Sequence, residues 1–309
     1  MKKKWLVFSI VISLTVFFCF FINIKEKEKQ NRHAKRDGPY FQLSKITRFS
    51  QRLIPFVNIE IEGEQIEAQI DLGSNGTICL EKTLLDNIKG KKTLHVKTSH
   101  GVRGRKYYNN HFELAEIKLG KATLSRPRGN EMNPDFEKDA KINPIEDEIL
   151  TPCLARIGWT FFNPLNLYLD CTTSTIGICD SVETLKKNGY LLDCVEMPLM
   201  SIGNAIGFEA MTNAGPLKCL LDTGSSHNII HSDEERSIDD AFKNPRNRIS
   251  FSFFKIGSYD FGEIRFVRAP LKMREKIDAI VGMEFIYSKQ IFIDFSKRKI
   301  YFSVPGEKK

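Results

Sequence analysis

Two stretches of this chain run apolar residues into Asp-x-Gly-Ser: Gln69-Ile70-Asp71-Leu72-Gly73-Ser74 and Leu220-Leu221-Asp222-Thr223-Gly224-Ser225. A single carboxylate after an apolar run is ordinary turn chemistry, because Asp and Gly are common turn formers. Two in matching settings suggest more. If the chain brings both loops together, Asp71 and Asp222 share one site, and two carboxylates about 3 Å apart cannot both ionise cheaply. The pair then shares one proton. The ionised member can take a proton from a bound water while the protonated one polarises a carbonyl. That is general acid–base hydrolysis of an amide, with no metal, cofactor or covalent intermediate. Gly73 and Gly224 allow close backbone approach, and the Ser74 and Ser225 hydroxyls are expected to orient the carboxylates.

The elements that would bring the loops together are legible as an internal duplication. Asp71 and Asp222 are 151 positions apart, and at that offset Gly73 meets Gly224, Ser74 meets Ser225 and Ile78 meets Ile229. A middle block, FELAEIKLGKATL against ISFSFFKIGSYDF, superposes Gly120 on Gly257 at an offset of 137. A third block, beginning at Ile157 and Val281, runs ungapped at an offset of 124 and pairs Gly158 with Gly282 and Asp170 with Asp294. Three blocks in one order describe two lobes. Period-two alternation around Gly turns predicts a mainly β protein, with short helices at Glu81–Ile88 and Asp180–Lys187. The expected division is an N-terminal β lobe over 51–180 and a C-terminal β lobe over 181–309.

The first copy carries two surpluses. One falls around Gly101 and Gly104 and predicts a protruding β-hairpin; the other, rich in Pro, Asn, Asp and Glu, predicts a surface loop.

The doubled motif resembles the aspartic proteases of the pepsin and retropepsin type, two lobes in one chain, over roughly Arg52 to Val304. Besides the Asp loops, Arg156-Ile157-Gly158 and Ile280-Val281-Gly282 answer to the family's hydrophobic-hydrophobic-Gly element, which buttresses the catalytic loop. The resemblance implies that Gly158 and Gly282 are buttress glycines and that Asp170 and Asp294 are structural turn residues. It also implies a substrate cover formed by the first-lobe hairpin, with His100, Gly101 and Gly104 at its tip and Tyr107 or Tyr108 closing over an extended polypeptide. The dyad would form within one chain, without an obligate dimer. Leu72 departs from the pattern. The family has a hydroxyl there that grips the opposite loop; Thr223 supplies one and Leu72 does not, so a less symmetric dyad is expected.

Composition bounds the rest. Trp5 to Ile24 is an apolar run of membrane-spanning length with lysines before it and no small-x-small cleavage site after it. Residues 1–24 are therefore expected to form a single-pass helical anchor and 25–50 a basic linker, with the globular part extracytoplasmic. The formal charge of +8 reflects much basic sequence near the N-terminus, so a solvated surface is expected rather than a nucleic-acid site. No Cys-x-x-Cys pair is present, and His227 and His231 flank a predicted strand rather than a helix, so no metal site is expected. Asp260-Phe261-Gly262 lacks the companions of a kinase metal motif, and the repeat aligns Asp260 with Thr123, so it reads as a strand residue. Cys171 and Cys179 flank a predicted turn and could pair across a hairpin, but their counterparts Phe295 and Ser303 are not cysteine, so they read as core or incidental thiols. The rival to a membrane-anchored endopeptidase is a catalytically inactive peptide-binding or assembly module with the same fold.

Overall fold

A computed structural model describes residues 40–50, 53–100, 106–132, 153–233, 247–271 and 276–304. The apolar run Trp5–Ile24 lies outside the described residues, as do Gly101 and Gly104. Among the described residues no helix is long and apolar enough to cross a membrane.

Three sheets organise the described residues. Among the described residues, the first lobe holds a 10-stranded sheet and the second a 9-stranded one, and the strands follow the same order in both. The extra strand is Lys92–His100, which pairs antiparallel with Lys106–Glu113 to make the predicted hairpin. A third, 6-stranded sheet joins the lobes. Its central pair is Leu167–Asp170 against Gln290–Asp294, and Tyr168 lies directly opposite Phe292. These two residues are equivalents in the repeat, so the pseudo-twofold axis passes between them. A duplicated strand paired with its own copy in antiparallel register generates that symmetry.

Residues 25–50 read from the sequence as a linker, but Phe41–Lys45 within them is a strand on the edge of the joining sheet, paired with Thr175–Cys179. Its alternation explains the difference: Phe41 and Leu43 pack beside Tyr190 against the cluster of Tyr168, Leu185 and Phe292. Period-two burial drives strand formation elsewhere too. Pro55–Ile61 and Glu64–Asp71 bury Val57, Ile59, Ile61, Ile66 and Ala68. The turn between them places Glu62 and Gly63 at positive φ, the two-residue hairpin geometry that matches strand twist. Gly120 and Gly257 have φ of +59° and +58°, so the repeat superposes glycines that do the same work.

The predicted helices are present at Lys82–Asn87 and Val182–Lys187, capped by Glu81 and Ser181 side chains accepting from backbone amides. One core cluster runs through both lobes and includes Ile70, Leu72, Leu221 and Val281. The strand ends that carry the two Asp loops are therefore anchored in shared apolar packing.

Candidate active site

Asp71 ends strand Glu64–Asp71, and Asp222 follows strand Gly215–Leu221. Each runs parallel to a strand that holds or leads into the candidate buttress glycine: Gly158 is opposite Asp71, and Val281, just before Gly282, is opposite Leu221. The fit beneath the loops is tight. A Cβ on Gly158 would lie 2.3 Å from Gly76 O and 2.4 Å from Ser74 O; one on Gly282 would lie 2.3 Å from His227 O and 2.6 Å from Ser225 O. Beyond each glycine a single helical turn begins, Trp159–Phe162 and Met283–Ile286. The Trp159 amide donates to Ser74 O at 3.1 Å, and the Met283 amide donates to Ser225 O at 2.8 Å. The Trp159 indole also donates to Asn204 O of the second lobe at 3.1 Å.

The loops meet. A Cβ on Gly73 would fall 2.4 Å from Asp222 Cγ, and one on Gly224 would fall 2.7 Å from Asp71 Cγ. Each glycine lies against the other lobe's carboxylate, as a pseudo-twofold arrangement requires. Within its own loop Asp71 accepts from the Ser74 amide at 3.1 Å, and Asp222 accepts from the Gly224 amide at 2.7 Å. The serine hydroxyls do not orient the carboxylates as expected from sequence. Ser74 Oγ accepts from the Gly76 amide, and Ser225 Oγ donates to His227 O. Both hydroxyls brace their own turns, while a backbone amide of each loop donates to one oxygen of its carboxylate.

Both carboxylates are half-buried. Burial first, and the Asp71 charge second, push Asp222 from 3.8 up to about 8, against opposing hydrogen bonds from the Gly224 and Gly73 amides. Ionisation of Asp222 beside the Asp71 carboxylate is thus disfavoured, as expected of two carboxylates in one site.

Thr223 performs the grip expected of it. Its hydroxyl donates to Ile70 O at 2.8 Å and accepts from the Leu72 amide at 3.0 Å, fully buried. Leu72 returns no such bond and instead packs at 0% exposure in the shared core. Burying a leucine is worth about 1.5–3 kcal/mol, against a net ~1 kcal/mol for a neutral hydrogen bond. The exchange leaves the junction asymmetric, as the sequence suggested, without leaving it short of stabilisation.

Asp170 and Asp294 sit at matching turns of the joining sheet. Asp170 accepts from the Thr172 and Thr173 amides, and Asp294 from the Lys297 amide and the Ser296 hydroxyl. Asp260 accepts from the Phe254 and Gly262 amides. His227 faces Glu284 and His231 faces Asp233. Cys171 and Cys179 are buried thiols. In the hairpin His100 pairs with Lys106 at the described end; Tyr107 is buried, whereas Tyr108 is 64% exposed beside Lys106. A separate cavity of about 300 Å³, bordered by Ser44, Asn58 and Lys118, contains none of these residues.

One residue at the site was missed by the sequence reading. Arg156, counted there as the first apolar position of Arg156-Ile157-Gly158, places Nε 3.3 Å from Asp71 Oδ2. The contact is one of charge proximity rather than hydrogen-bond alignment. Its signal was the arginine itself, standing where the second copy has Ile280.

No protein-family model matches the chain, and no curated protein matches it. Solved structures do. Conglutin gamma, a basic 7S globulin from lupine seeds, aligns with a TM-score of 0.57 at 10% identity, covering 86% of this chain and 95% of that one. The basic 7S globulin from soybean aligns with a TM-score of 0.54 at 11% identity over 87% and 98%. An aspartic proteinase from Irpex lacteus gives 0.53 at 13% identity over 86% and 98%. The chain thus has the bilobal, mainly β pepsin-like fold. That fold is shared by proteins named as globulins and by one named as a proteinase, so activity has to be argued from the site.

Proposed function

We propose that this protein is an aspartic endopeptidase, with Asp71 as general base and Asp222 as general acid. The observation that carries the reading is reciprocal: each loop's glycine lies against the other loop's carboxylate. A water between the carboxylates gives a proton to Asp71 as its oxygen bonds to the peptide carbonyl carbon. Asp222 gives its proton to the carbonyl oxygen, which yields a tetrahedral diol. The C–N bond then breaks as the amine nitrogen takes the proton from Asp71, and a diol hydroxyl returns one to Asp222. Both groups recover their starting states, and no metal or cofactor enters the cycle.

The substrate is an extended polypeptide, hydrogen-bonded along its backbone like an added strand. The hairpin Lys92–His100/Lys106–Glu113 covers it, with the exposed Tyr108 rather than the buried Tyr107 available for contact. The apolar run Trp5–Ile24 tethers the catalytic body to a membrane.

The test is incubation of the full-length protein with an unfolded protein substrate, with and without a peptide whose secondary alcohol mimics the diol. Cleavage blocked by the mimic and lost in Asp71→Asn and Asp222→Asn supports the proposal; cleavage that survives both substitutions refutes it. One observation favours a second reading, a non-cleaving peptide-binding module: a guanidinium, Arg156 Nε, lies 3.3 Å from Oδ2 of the proposed base. Binding of the mimic with no cleavage at any pH would establish that reading instead.

A further inference from the structure

Strand Ala155–Gly158 threads beside the first Asp loop, and its register sets Arg156 between Gln69 and Cys79 on the flanking strands. The Arg156 side chain is 11% exposed and meets Asp71 at 3.3 Å. A guanidinium stays charged throughout the range in which proteins fold, and burying one is costly unless an anion faces it. Among the described residues, a member of the dyad is one such anion.

The second lobe is built differently. Ile280 stands at the equivalent register position, opposite Leu220, and packs with Ile229 and Val267 in an apolar cluster. The two Asp loops are alike in backbone and unlike in charge. Among the described residues, the titratable groups facing Asp71 are Asp222 from the second loop and Arg156 from strand Ala155–Gly158. Cys79 flanks Arg156 on strand Ile78–Leu80, and the Cys153 thiol donates to Gln69 Oε1 at 3.3 Å.

We infer that Arg156 is a positioning residue that pins the negative charge of the dyad on Asp71 and leaves Asp222 to carry the proton. In a symmetric pair the proton divides between two equivalent arrangements. With a fixed cation on the first-lobe side, the resting site adopts a single arrangement, base on the first lobe and acid on the second. Burial and the Asp71 charge, which favour the protonated form of Asp222, act in the same sense. The cation also keeps the pair singly charged at lower pH than a bare dyad sustains. Its catalytic consequence rests on the hydrolytic reading above; its effect on protonation does not.

The experiment follows the carboxyl carbon-13 signals of the two aspartates through an acid titration of the full-length protein. Wild type is compared with Arg156→Met, Arg156→Lys and Arg156→Gln. Removing the cation moves the more acidic step of the dyad upward by about one to three pH units, and Arg156→Lys stays near wild type. Should Arg156→Met fail to fold, Arg156→Gln carries the same expectation. An acidic step unmoved in a folded neutral variant, or moved as far in Arg156→Lys as in the neutral variants, overturns the inference. Peptide cleavage followed in parallel keeps the two readings apart. A protein that never cleaves but shows the shift loses the protease assignment alone, and one that cleaves without the shift loses the role of Arg156 alone.

Discussion

Gly73 lies so close to the Asp222 carboxylate that a methyl group there would sit 2.4 Å from Cγ and 2.5 Å from Oδ1. No real pair of atoms of this kind holds such a distance, so Gly73→Ala must displace the carboxylate or open the junction between the loops. Loss of peptide cleavage is expected, with far-UV circular dichroism preserved. The equivalent Gly224→Ala, 2.7 Å from Asp71 Cγ, should act alike. Full activity in either variant would mean that the loops are farther apart than described.

Gly158→Ala and Gly282→Ala meet backbone instead. Their methyl groups would lie 2.3 Å from the carbonyl oxygens of Gly76 and His227, which cannot swing aside like a side chain. Destabilisation by overpacking, about 1–3 kcal/mol or more, is expected in denaturant titrations. This loss should exceed that of Gly63→Ala, where the added methyl meets nothing within 4 Å and only the positive φ of 85° opposes it.

Thr223 makes two buried hydrogen bonds across the junction, to Ile70 O and from the Leu72 amide. Thr223→Val keeps the shape and leaves both backbone groups without that partner. A loss of about 1–3 kcal/mol per stranded buried group is expected, together with weaker binding of the alcohol-bearing peptide. An unchanged denaturation midpoint would show that water or a backbone shift replaces the grip.

Stability should depend on pH through Asp222. Its folded-state value is raised from 3.8 to about 8, so the folded protein binds this proton more tightly than the unfolded chain does. The contribution is complete below 3.8, declines as pH rises, and is lost above about 8. Asp222→Asn removes the dependence. The stability difference, variant minus wild type, should therefore grow steadily from acid to mildly alkaline conditions. Two curves that run parallel would contradict the raised value.

Much of this was legible in the sequence because duplication makes comparison possible. The offset that pairs Asp71 with Asp222 also pairs Gly73 with Gly224, and the structure turns that pairing into contact. Gly120 and Gly257, superposed by sequence, share one backbone conformation. What escaped the reading was what a pattern of residue types does not encode. Ser74 and Ser225 look like carboxylate partners, yet backbone amides reach the carboxylates first. Arg156 occupies a position whose partner in the repeat is apolar, and only tertiary placement reveals that its side chain turns to Asp71. Phe41–Lys45 lies next to a basic stretch, and its pairing with Thr175–Cys179 is a contact far along the chain. The sequence-based cover residues Gly101 and Gly104 lie outside the described residues, while the strands that lead to them form the expected hairpin.

The most direct test of the central claim is kcat/KM for an unstructured peptide, measured from acid to alkaline pH with wild type, Asp71→Asn and Asp222→Asn side by side. The rate should fall as pH rises through about 8, where Asp222 gives up its proton. Each variant should lose about 10²–10⁴-fold with the fold intact. Cleavage that persists at the wild-type rate when either carboxylate is replaced would contradict the claim.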